Sequence, residues 1–424
     1  MRALGLWVAL VLIVLVAGPS TAPSQTPSGE LAFTLRLRGD HANGAVCVAR
    51  STELRRARRM TGLGEFTTAA WSRDGRRIAV GGGERAEGRI RVANAAGSGW
   101  RGITRPRPTE QDSAPAWSPD GRTIAFSRDV FFGPGTDYGR AGVWTVDLAT
   151  RQERQISRTG AAALAWSPRG DLIAGEPGGV LNTDVLLLRE DGRLERTIRS
   201  PDSGAFEDGV SWSPDGARLA LGGGIMVDRT GREVGRFAAR AGGYVVRSPS
   251  WSPDGATIAY ERARSWTDAR TNVPVLGYGD LYLAPAAGGR AVRLTATSGI
   301  SEGNPVWRPR PSSRAGSAQA CIVAGTSGRD LIRGTALDDL VDAGEGNDLV
   351  YGLGGDDFLV GGPGADGLTG GGGNDDLRGE AGSDRLYARD GTSDAVSGGP
   401  GRDRARVDPG RDRATGVESV YPRR

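Results

Sequence analysis

Residues 325–387, written in units of nine, read GTSGRDLIR GTALDDLVD AGEGNDLVY GLGGDDFLV GGPGADGLT GGGGNDDLR GEAGSDRLY. The sixth position is aspartate in every unit: Asp330, Asp339, Asp348, Asp357, Asp366, Asp375 and Asp384. The eighth position is aliphatic in every unit: Ile332, Val341, Val350, Leu359, Leu368, Leu377 and Leu386. Glycines fill most of the first four positions, where a turn needs unusual backbone angles or close approach. Each unit therefore predicts a turn and a short strand with its middle side chain inward.

Two units make one flattened coil, so the pattern predicts two stacks of aspartates, one along each edge. One stack contains Asp330, Asp348, Asp366 and Asp384, and the other contains Asp339, Asp357 and Asp375. Calcium is a hard cation that takes about six to eight oxygen ligands, which carboxylates and backbone carbonyls of successive turns can supply. We therefore predict that these seven aspartates bind calcium. A disordered Gly/Asp-rich linker is the alternative, but it does not account for the regular spacing.

The nonapeptide pattern resembles the hemolysin-type calcium-binding (RTX) repeat family, over about a fifth of the chain. The resemblance implies a parallel β-roll with several Ca²⁺ ions bound between its turns. We expect removal of calcium to unfold this roll and to spare the rest of the chain.

The repeat weakens after residue 387. It slips by one residue through 388–397, where Asp394 returns to the sixth position. The next two units keep Asp403 and Asp412 but place Ala405 and Ala414 at the core position, with arginines beside each aspartate. Alanine buries less apolar surface than leucine, and adjacent cations oppose binding of a dication. We therefore expect these units to form a weakly ordered cap with poor calcium sites.

A second, longer repeat lies between residues 70 and 309, and its core reads Trp-Ser-Pro-Asp-Gly with variations. Its tryptophans are 46, 49, 46, 39 and 56 residues apart: Trp71, Trp117, Trp166, Trp212, Trp251 and Trp307. This is the length of a four-stranded propeller blade. Each copy predicts a strand that ends in tryptophan, a tight turn and an aliphatic strand.

These cores resemble the TolB-type β-propeller family, over about two thirds of the chain. The strand that ends at Trp307 lacks three partners, and segments 31–36, 45–50 and 54–61 can supply them. We therefore predict an all-β protein in which a six-bladed propeller, closed by strands from both ends, precedes a calcium-stabilised parallel β-roll. The predicted parts are a signal peptide (1–22), a linker (23–29), the propeller (30–311), a linker (312–324), the roll (325–415) and a tail (416–424).

The tryptophans and turn aspartates of the longer repeat are predicted to be structural. Asp74, Asp120, Asp215 and Asp254 lie in separate blades without a neighbouring carboxylate, so we do not predict them as calcium ligands. Two long connections on one face, 128–141 and 263–279, are predicted to contact a protein or glycan partner. Their aromatic residues are Phe131, Phe132, Tyr138, Trp266 and Tyr278.

The N-terminal segment and the charge distribution bear on location. Residues 1–22 combine Arg2 with an apolar run (4–17) and small residues, which predicts a cleaved signal peptide, with an uncleaved anchor as the alternative. The net charge is +4, yet residues 325–387 carry 13 acidic residues against four arginines. The other arginines are scattered, which argues against nucleic-acid binding. We predict a secreted protein, extracellular or in the cell envelope, without a stable membrane span after cleavage.

No catalytic motif is evident in the sequence. There is one histidine, His41, in a polar connection, and neither G-x-S-x-G nor H-E-x-x-H occurs. We predict a non-enzymatic calcium-binding protein whose propeller is an interaction platform. A secreted lyase or glycoside hydrolase with its site in the propeller channel is the alternative, because paired carboxylates are recognised only in three dimensions.

Cys47 and Cys321 are the only cysteines in the sequence. We predict that they form a disulfide, with two buried thiols as the alternative.

Overall fold

The computed structural model describes residues 29–37, 44–50, 57–61, 68–82, 88–131, 138–177, 184–199, 209–239, 243–267, 274–295, 300–309, 323–334, 336 and 338–421. These residues form six four-stranded antiparallel sheets and two six-stranded parallel sheets. The predicted all-β class, with a propeller and a parallel roll, is confirmed. In this part of the chain no helix has the length and hydrophobicity needed to cross a bilayer. The predicted signal peptide and His41 lie outside it.

Five blades are built from consecutive strands. Blade 1 contains β4 (Thr68–Trp71), β5 (Arg77–Gly81), β6 (Arg91–Asn94) and β7 (Arg101–Gly102). Blade 2 contains β8 (Glu110–Trp117), β9 (Thr123–Phe131), β10 (Tyr138–Asp147) and β11 (Glu153–Ser157). Blade 3 contains β12 (Ala163–Trp166), β13 (Ile173–Glu176), β14 (Val185–Leu188) and β15 (Leu194–Ile198). Blade 4 contains β16 (Val210–Trp212), β17 (Arg218–Leu221), β18 (Ile225–Asp228) and β19 (Glu233–Arg236), with a 3-10 turn at Gly222–Gly224. Blade 5 contains β20 (Tyr244–Trp251), β21 (Thr257–Thr267), β22 (Pro274–Pro285) and β23 (Val292–Arg293).

Blade 6 is assembled from both ends of the propeller segment, as predicted. Its sheet has the order β24-β1-β2-β3, formed by β24 (Ile300–Trp307), β1 (Glu30–Leu37), β2 (Gly44–Arg50) and β3 (Arg58–Arg59). Leu31 lies opposite Trp307 in the antiparallel register, and the Thr34 hydroxyl donates to the Gly303 carbonyl at 3.0 Å. First strands of successive blades contact one another around the whole ring. The closed ring therefore leaves no blade-to-blade gap exposed.

The Trp-Ser-Pro-Asp-Gly core holds each blade together locally. In blade 2 the Ser118 hydroxyl donates to Asp120 at 2.6 Å, and the same carboxylate accepts the Arg122 amide at 3.0 Å. The Trp117 indole N–H donates to the Ala70 carbonyl of blade 1 at 3.0 Å. The same serine–aspartate contact recurs in blades 1, 4 and 5. The tryptophan and aspartate therefore have the structural roles that the sequence predicts.

The two connections predicted as long loops are largely strands. β9 and β10 stay paired out to Phe131 and Tyr138, and β21 and β22 stay paired from Thr257 to Thr267. A register shift in each hairpin, at residues 140–142 and 263–265, allows the extended pairing to continue beyond the blade. Phe132 lies outside the described residues, as do the side chains of Phe131, Tyr138, Trp266 and Tyr278.

The roll consists of two parallel sheets that alternate along the chain. Roll sheet 1 contains β25 (Val323–Ala324), β27 (Leu340–Asp342), β29 (Phe358–Val360), β31 (Asp376–Arg378), β33 (Ala395–Ser397) and β35 (Arg413–Thr415). Roll sheet 2 contains β26 (Leu331–Arg333), β28 (Leu349–Gly354), β30 (Gly367–Gly372), β32 (Arg385–Tyr387), β34 (Arg404–Arg406) and β36 (Ser419–Tyr421). β25 lies in the segment predicted as a linker, and β36 in the predicted tail, so the parallel pairing extends beyond the regular repeats.

The core of the roll is the column of eighth-position side chains. Val341 pairs with Leu359 and Leu359 with Leu377, each 18 residues apart, and then Leu377 pairs with Val396, 19 residues away. This single extra residue is the slip predicted after residue 387. Ala405 is buried in the same column. The column therefore continues through the degenerate units, with less apolar volume per coil.

Roll sheet 1 packs on the propeller through one shared hydrophobic cluster. Outward side chains of β27 and β29 join buried residues of blades 5 and 6, and the cluster comprises Phe33, Leu35, Cys47, Ala49, Ala57, Leu281, Leu340, Phe358 and Val360. Cys47 is fully buried there and is disulfide-bonded, while Cys321 lies outside the described residues. The roll and the propeller therefore share buried contacts that the sequence analysis does not predict, because blade 6 buries its outer strands against the roll. The expectation that calcium removal spares the propeller stays a prediction.

Replacing Phe358 with alanine tests this coupling. Phe358 is 2% exposed in the shared cluster, so the Phe358→Ala variant should lose about 3–5 kcal/mol of packing free energy. Hydrogen exchange should accelerate in β1 and β2 as well as in β29. Leu331→Ala is the control, because Leu331 is 64% exposed on the roll. Unchanged exchange in β1 and β2 of Phe358→Ala would contradict the coupling.

Candidate calcium centre in the roll

The sixth-position aspartates form two continuous ladders along the roll. The backbone N–H of each aspartate donates to Oδ1 of the aspartate in the next coil, at 2.7 Å from Asp339 to Asp357 and 2.8 Å from Asp348 to Asp366. One ladder runs through Asp330, Asp348, Asp366, Asp384 and Asp403. The other runs through Asp339, Asp357, Asp375, Asp394 and Asp412. The structure thus brings all seven predicted residues into the two stacks that the sequence predicts.

In most of these carboxylates the second oxygen, Oδ2, has no hydrogen-bond partner among the described residues. Among the described residues, Oδ2 is buried without a hydrogen-bond partner in Asp348, Asp357, Asp366, Asp375, Asp384, Asp394 and Asp403. These side chains are at most 3% exposed. A buried carboxylate oxygen without a donor is costly, so a repeated series of them indicates a missing cation.

The ends of the ladders differ from their middle. Asp330 Oδ2 accepts hydrogen bonds from the amide and hydroxyl of Thr326, at 2.6 and 2.8 Å. Asp412 uses one oxygen for the amide of Asp394 and the other for the amide of Asp408. Asp339 is buried but is not among the residues with an unpartnered oxygen. The geometry therefore assigns the most open sites to the middle coils and the least open to Asp330 and Asp412.

Asp394 and Asp403 extend the predicted set. Asp403 is fully buried and has the same unpartnered Oδ2 as the regular repeats, while its flanking Arg402 and Arg404 are exposed. The expected weakening of this unit rests on those arginines and on Ala405 in the core. The geometry shows the weakening only at Asp412, one nonapeptide unit later. The recurrence of aspartate at the sixth position after the slip was the sequence signal for both residues.

First-position glycines leave room for an ion beside several of the ladder carboxylates. A Cβ at Gly361 would lie 2.6 Å from Asp366 Oδ2 and 2.9 Å from the Gly379 carbonyl oxygen of the next coil. The same paired approach occurs at Gly334, Gly352, Gly379 and Gly398. A carboxylate oxygen and a carbonyl oxygen therefore face a common space that only glycine leaves open, and calcium prefers such oxygens.

Burial and mutual repulsion perturb the ladder carboxyls strongly. Burial, together with repulsion from neighbouring ladder carboxylates, raises the pKa of Asp357 and Asp366 to about 7, although the hydrogen bond from the amide of the preceding aspartate opposes the rise. Burial likewise raises the pKa of Asp375 and Asp384 to about 6. Without a cation, these groups hold protons near neutral pH that ordinary aspartates release.

The residues present fit calcium. Within the described chain, no three carboxylate, imidazole or thiol side chains converge on one point, so each ion would be held by ladder carboxylates together with backbone carbonyls. Bound Ca²⁺ would supply positive charge that neutralises the buried oxygens. The ladder residues hold those oxygens in place through their amide hydrogen bonds, and the glycines admit the ion.

Calcium titration of three variants tests the ranking of sites. Asp366→Ala and Asp375→Ala each remove an unpartnered oxygen from the middle of a ladder, so calorimetry should show lower stoichiometry or affinity. Asp412→Ala is the matched control, because both of its oxygens already accept amides. Equal losses for Asp412→Ala and Asp366→Ala would contradict the ranking.

The chelated protein should have an unusual pH dependence. The folded-state pKa of Asp357 and Asp366, about 7, exceeds the ordinary value of 3.8, so protonation favours the folded roll. This gain is fully present below about pH 4 and is lost as the pH rises through about 7. Normalised hydrogen exchange of residues 338–421 in chelator should therefore be slower at about pH 5.5 than at about pH 8. Calcium should restore protection at the higher pH; slower exchange at the higher pH without calcium would contradict the prediction.

The propeller offers a second concave site at one mouth of its channel. A cavity of about 360 Å³ is lined by the six repeat tryptophans and by the residues two positions after them, which are Arg73, Pro119, Pro168, Pro214, Pro253 and Pro309. The Arg73 guanidinium reaches across this mouth and donates to the Pro168 carbonyl. The mouth is therefore lined by indole and proline rings and by one arginine, which already has a partner.

Comparison with known proteins supports both repeats. Residues 324–405 match the RTX calcium-binding nonapeptide repeat family in overlapping segments, 324–359, 333–368, 351–386, 360–394 and 369–405. A stretch of 81 residues is 42% identical to Tol-Pal system protein TolB 1 of Novosphingobium aromaticivorans. That match spans 19% of this chain and only 16% of the relative.

Solved structures share the propeller fold at low identity. TolB from Acinetobacter baumannii is 18% identical, with a TM-score of 0.48, over 66% of this chain and 67% of that chain. Oligogalacturonate lyase from Vibrio parahaemolyticus is 14% identical, with a TM-score of 0.38, over 60% of this chain and 74% of that chain. At these identities the likeness concerns fold alone.

Proposed function

We propose that this chain, which carries RTX calcium-binding repeats behind a TolB-like six-bladed propeller, is a secreted calcium-binding protein with a non-enzymatic propeller platform. The observation that carries the calcium part is the row of buried, unpartnered Oδ2 atoms on successive coils. Extracellular calcium modules work at roughly 0.1–1 mM, so a roll of this kind gains its ions on leaving the cell. The predicted signal peptide in residues 1–22 supports export.

The platform role is supported by the shape of the propeller. Its hairpins β9–β10 and β21–β22 extend beyond their blades, and the channel mouth presents tryptophan and proline side chains. Rigid scaffolds that present projecting segments on one face are typical of binding proteins. We propose that a protein or glycan partner binds at the projecting hairpins.

The absence of catalysis is supported by the state of the buried acids in the propeller. Asp112 on β8 accepts two hydrogen bonds from Arg128, at 2.6 and 2.9 Å. Glu176 accepts the Gly209 amide at 2.7 Å, and Glu30 forms an ion pair with Arg308. Burial raises the pKa of Asp112, whereas Arg128 lowers it. Asp112 and Glu30 thus join strands within blades 2 and 6, and Glu176 joins blade 3 to blade 4, so these acids have structural partners.

Affinity capture by the full-length mature protein tests the proposal. The bait is incubated with the organism's own medium and envelope extract, with calcium or with chelator, and each captured partner is then tested again in purified form. We expect a partner whose binding is lost when the β21–β22 hairpin tip, residues 268–273, is replaced by Gly-Ser. Replacing residues 83–87 in the same way provides a control on another blade.

Three results would contradict the proposal. One is an intact residue 1–22 segment in protein recovered from the medium, detected by N-terminal sequencing. Another is calorimetry that shows no calcium uptake. The third is formation of unsaturated sugar product from oligogalacturonate or related polymers, which would favour the lyase alternative.

A further inference from the structure

Roll sheet 2 has an outward face unlike the rest of the roll. On β26, β28, β30, β32 and β34, the residues that flank each buried core position point away from the core. They include four arginines and two tyrosines, which define the arginine face: Arg333, Arg385, Arg404, Arg406, Tyr351 and Tyr387. No flanking residue on these five strands is acidic. The opposite sheet instead packs on the propeller through the shared cluster.

The positive charge of the arginine face contrasts with the acidic composition of the segment that contains it. Residues 325–387 are strongly acidic, yet their carboxylates lie at the turns and on the other side of the roll. Two of the turns leading into roll sheet 1 have an acid directly before the ladder aspartate, Asp338 and Asp356, whereas no turn leading into the arginine face has an acid at that place. Elsewhere in the roll, Arg378 pairs with Asp376 at 2.9 Å. Within the described chain, no ion pair engages the four arginines of the face.

The guanidinium groups are partly preorganised by the tyrosines. Arg333 lies over the Tyr351 ring at 5.8 Å, and Arg406 lies over the Tyr387 ring at 5.7 Å. Such cation–π contacts fix the planar groups at low entropic cost and leave their N–H donors directed outward. The contact layer therefore consists of guanidinium groups, two of which lie over the partly exposed tyrosine rings.

The arginines are spread along the face: Arg333 lies on β26, Arg385 on β32, and Arg404 and Arg406 on β34. Parallel strands lie about 4.8 Å apart, so Arg333 and Arg406 are separated by roughly 19 Å across four strand spacings, a distance that an extended linear polymer can span. Arginine binds carboxylate and sulfate groups through paired N–H donors, with a fixed geometry. Single-stranded nucleic acid binds by stacking its bases on open aromatic rings, and the two rings named on this face each have a guanidinium over one side.

We propose that the arginine face binds an acidic polysaccharide, one that carries carboxylate or sulfate groups. The choice of polysaccharide rests on the proposed secreted location, whereas the face itself is independent of the propeller's partner. Calcium orders the coils that carry the four arginines, so binding requires the calcium-loaded roll. The polymer lies across the strands, and each guanidinium contacts one of its anions.

Affinity electrophoresis of the full-length, calcium-loaded protein in gels that contain dextran sulfate tests the proposal. We expect retardation that weakens as salt increases, and none in neutral dextran. The double variant Arg333→Gln/Arg406→Gln should bind dextran sulfate about tenfold more weakly. The matched control is Arg411→Gln/Arg413→Gln, which removes the same charge from exposed positions off the face and should change binding by less than about twofold.

Calcium calorimetry on both double variants separates a binding defect from a folding defect. Normal calcium uptake with lost retardation supports the proposal. Equal losses in the two double variants would show a response to net charge alone, and no retardation of the native chain at physiological salt would show that the face binds no polyanion. Tighter binding of oligo(dT) than of dextran sulfate would assign the face to nucleic acid. Each of these three results overturns the proposal, whereas failure of calcium uptake by the native protein overturns the proposed function instead.

Discussion

Burial of carboxylates at the turns is the constraint on which the roll depends. Each ladder aspartate must be inside, because its Oδ1 accepts the amide that would otherwise be unpaired in the preceding coil. The same position leaves Oδ2 without a donor and raises the pKa of Asp357 and Asp366 to about 7. The hydrogen bond to Oδ1 thus favours burial of the carboxylate, whereas the loss of solvent around Oδ2 opposes it. A cation between the coils resolves this conflict for every coil together.

Much of this arrangement could be predicted because the repeats have fixed periods. A nine-residue period determines which aspartates share an edge, and the Trp307 strand without partners determines how the ring closes. The ends of the ladders were harder to predict from the sequence, because only the structure shows that the Thr326 hydroxyl donates to Asp330 Oδ2. The contact between Phe358 and blade 6 was also missed, because a side chain that points out of one repeat carries no periodic signal for its partner.

The stabilities of the roll and the propeller are coupled through that contact. Leu340 follows Asp339 in the chain and Phe358 follows Asp357, so the residues that enter the shared cluster are adjacent to ladder positions. Any ion that fixes these coils also fixes the side chains that cover β1 and β2. Calcium bound by the ladders would therefore stabilise the blade that closes the ring, although the ladder carboxylates lie outside the propeller.

The closure of blade 6 also determines when its strands can pair during synthesis of the chain. The Thr34–Gly303 hydrogen bond joins residues 269 positions apart, so β1 cannot pair with β24 until about two thirds of the chain has followed it. Contacts of such long range slow folding, because the loop entropy is lost before they form. β1 and β2 can pair with each other early, but the edge of β1 that receives β24 stays open throughout this interval, in which a holding chaperone has the most to protect.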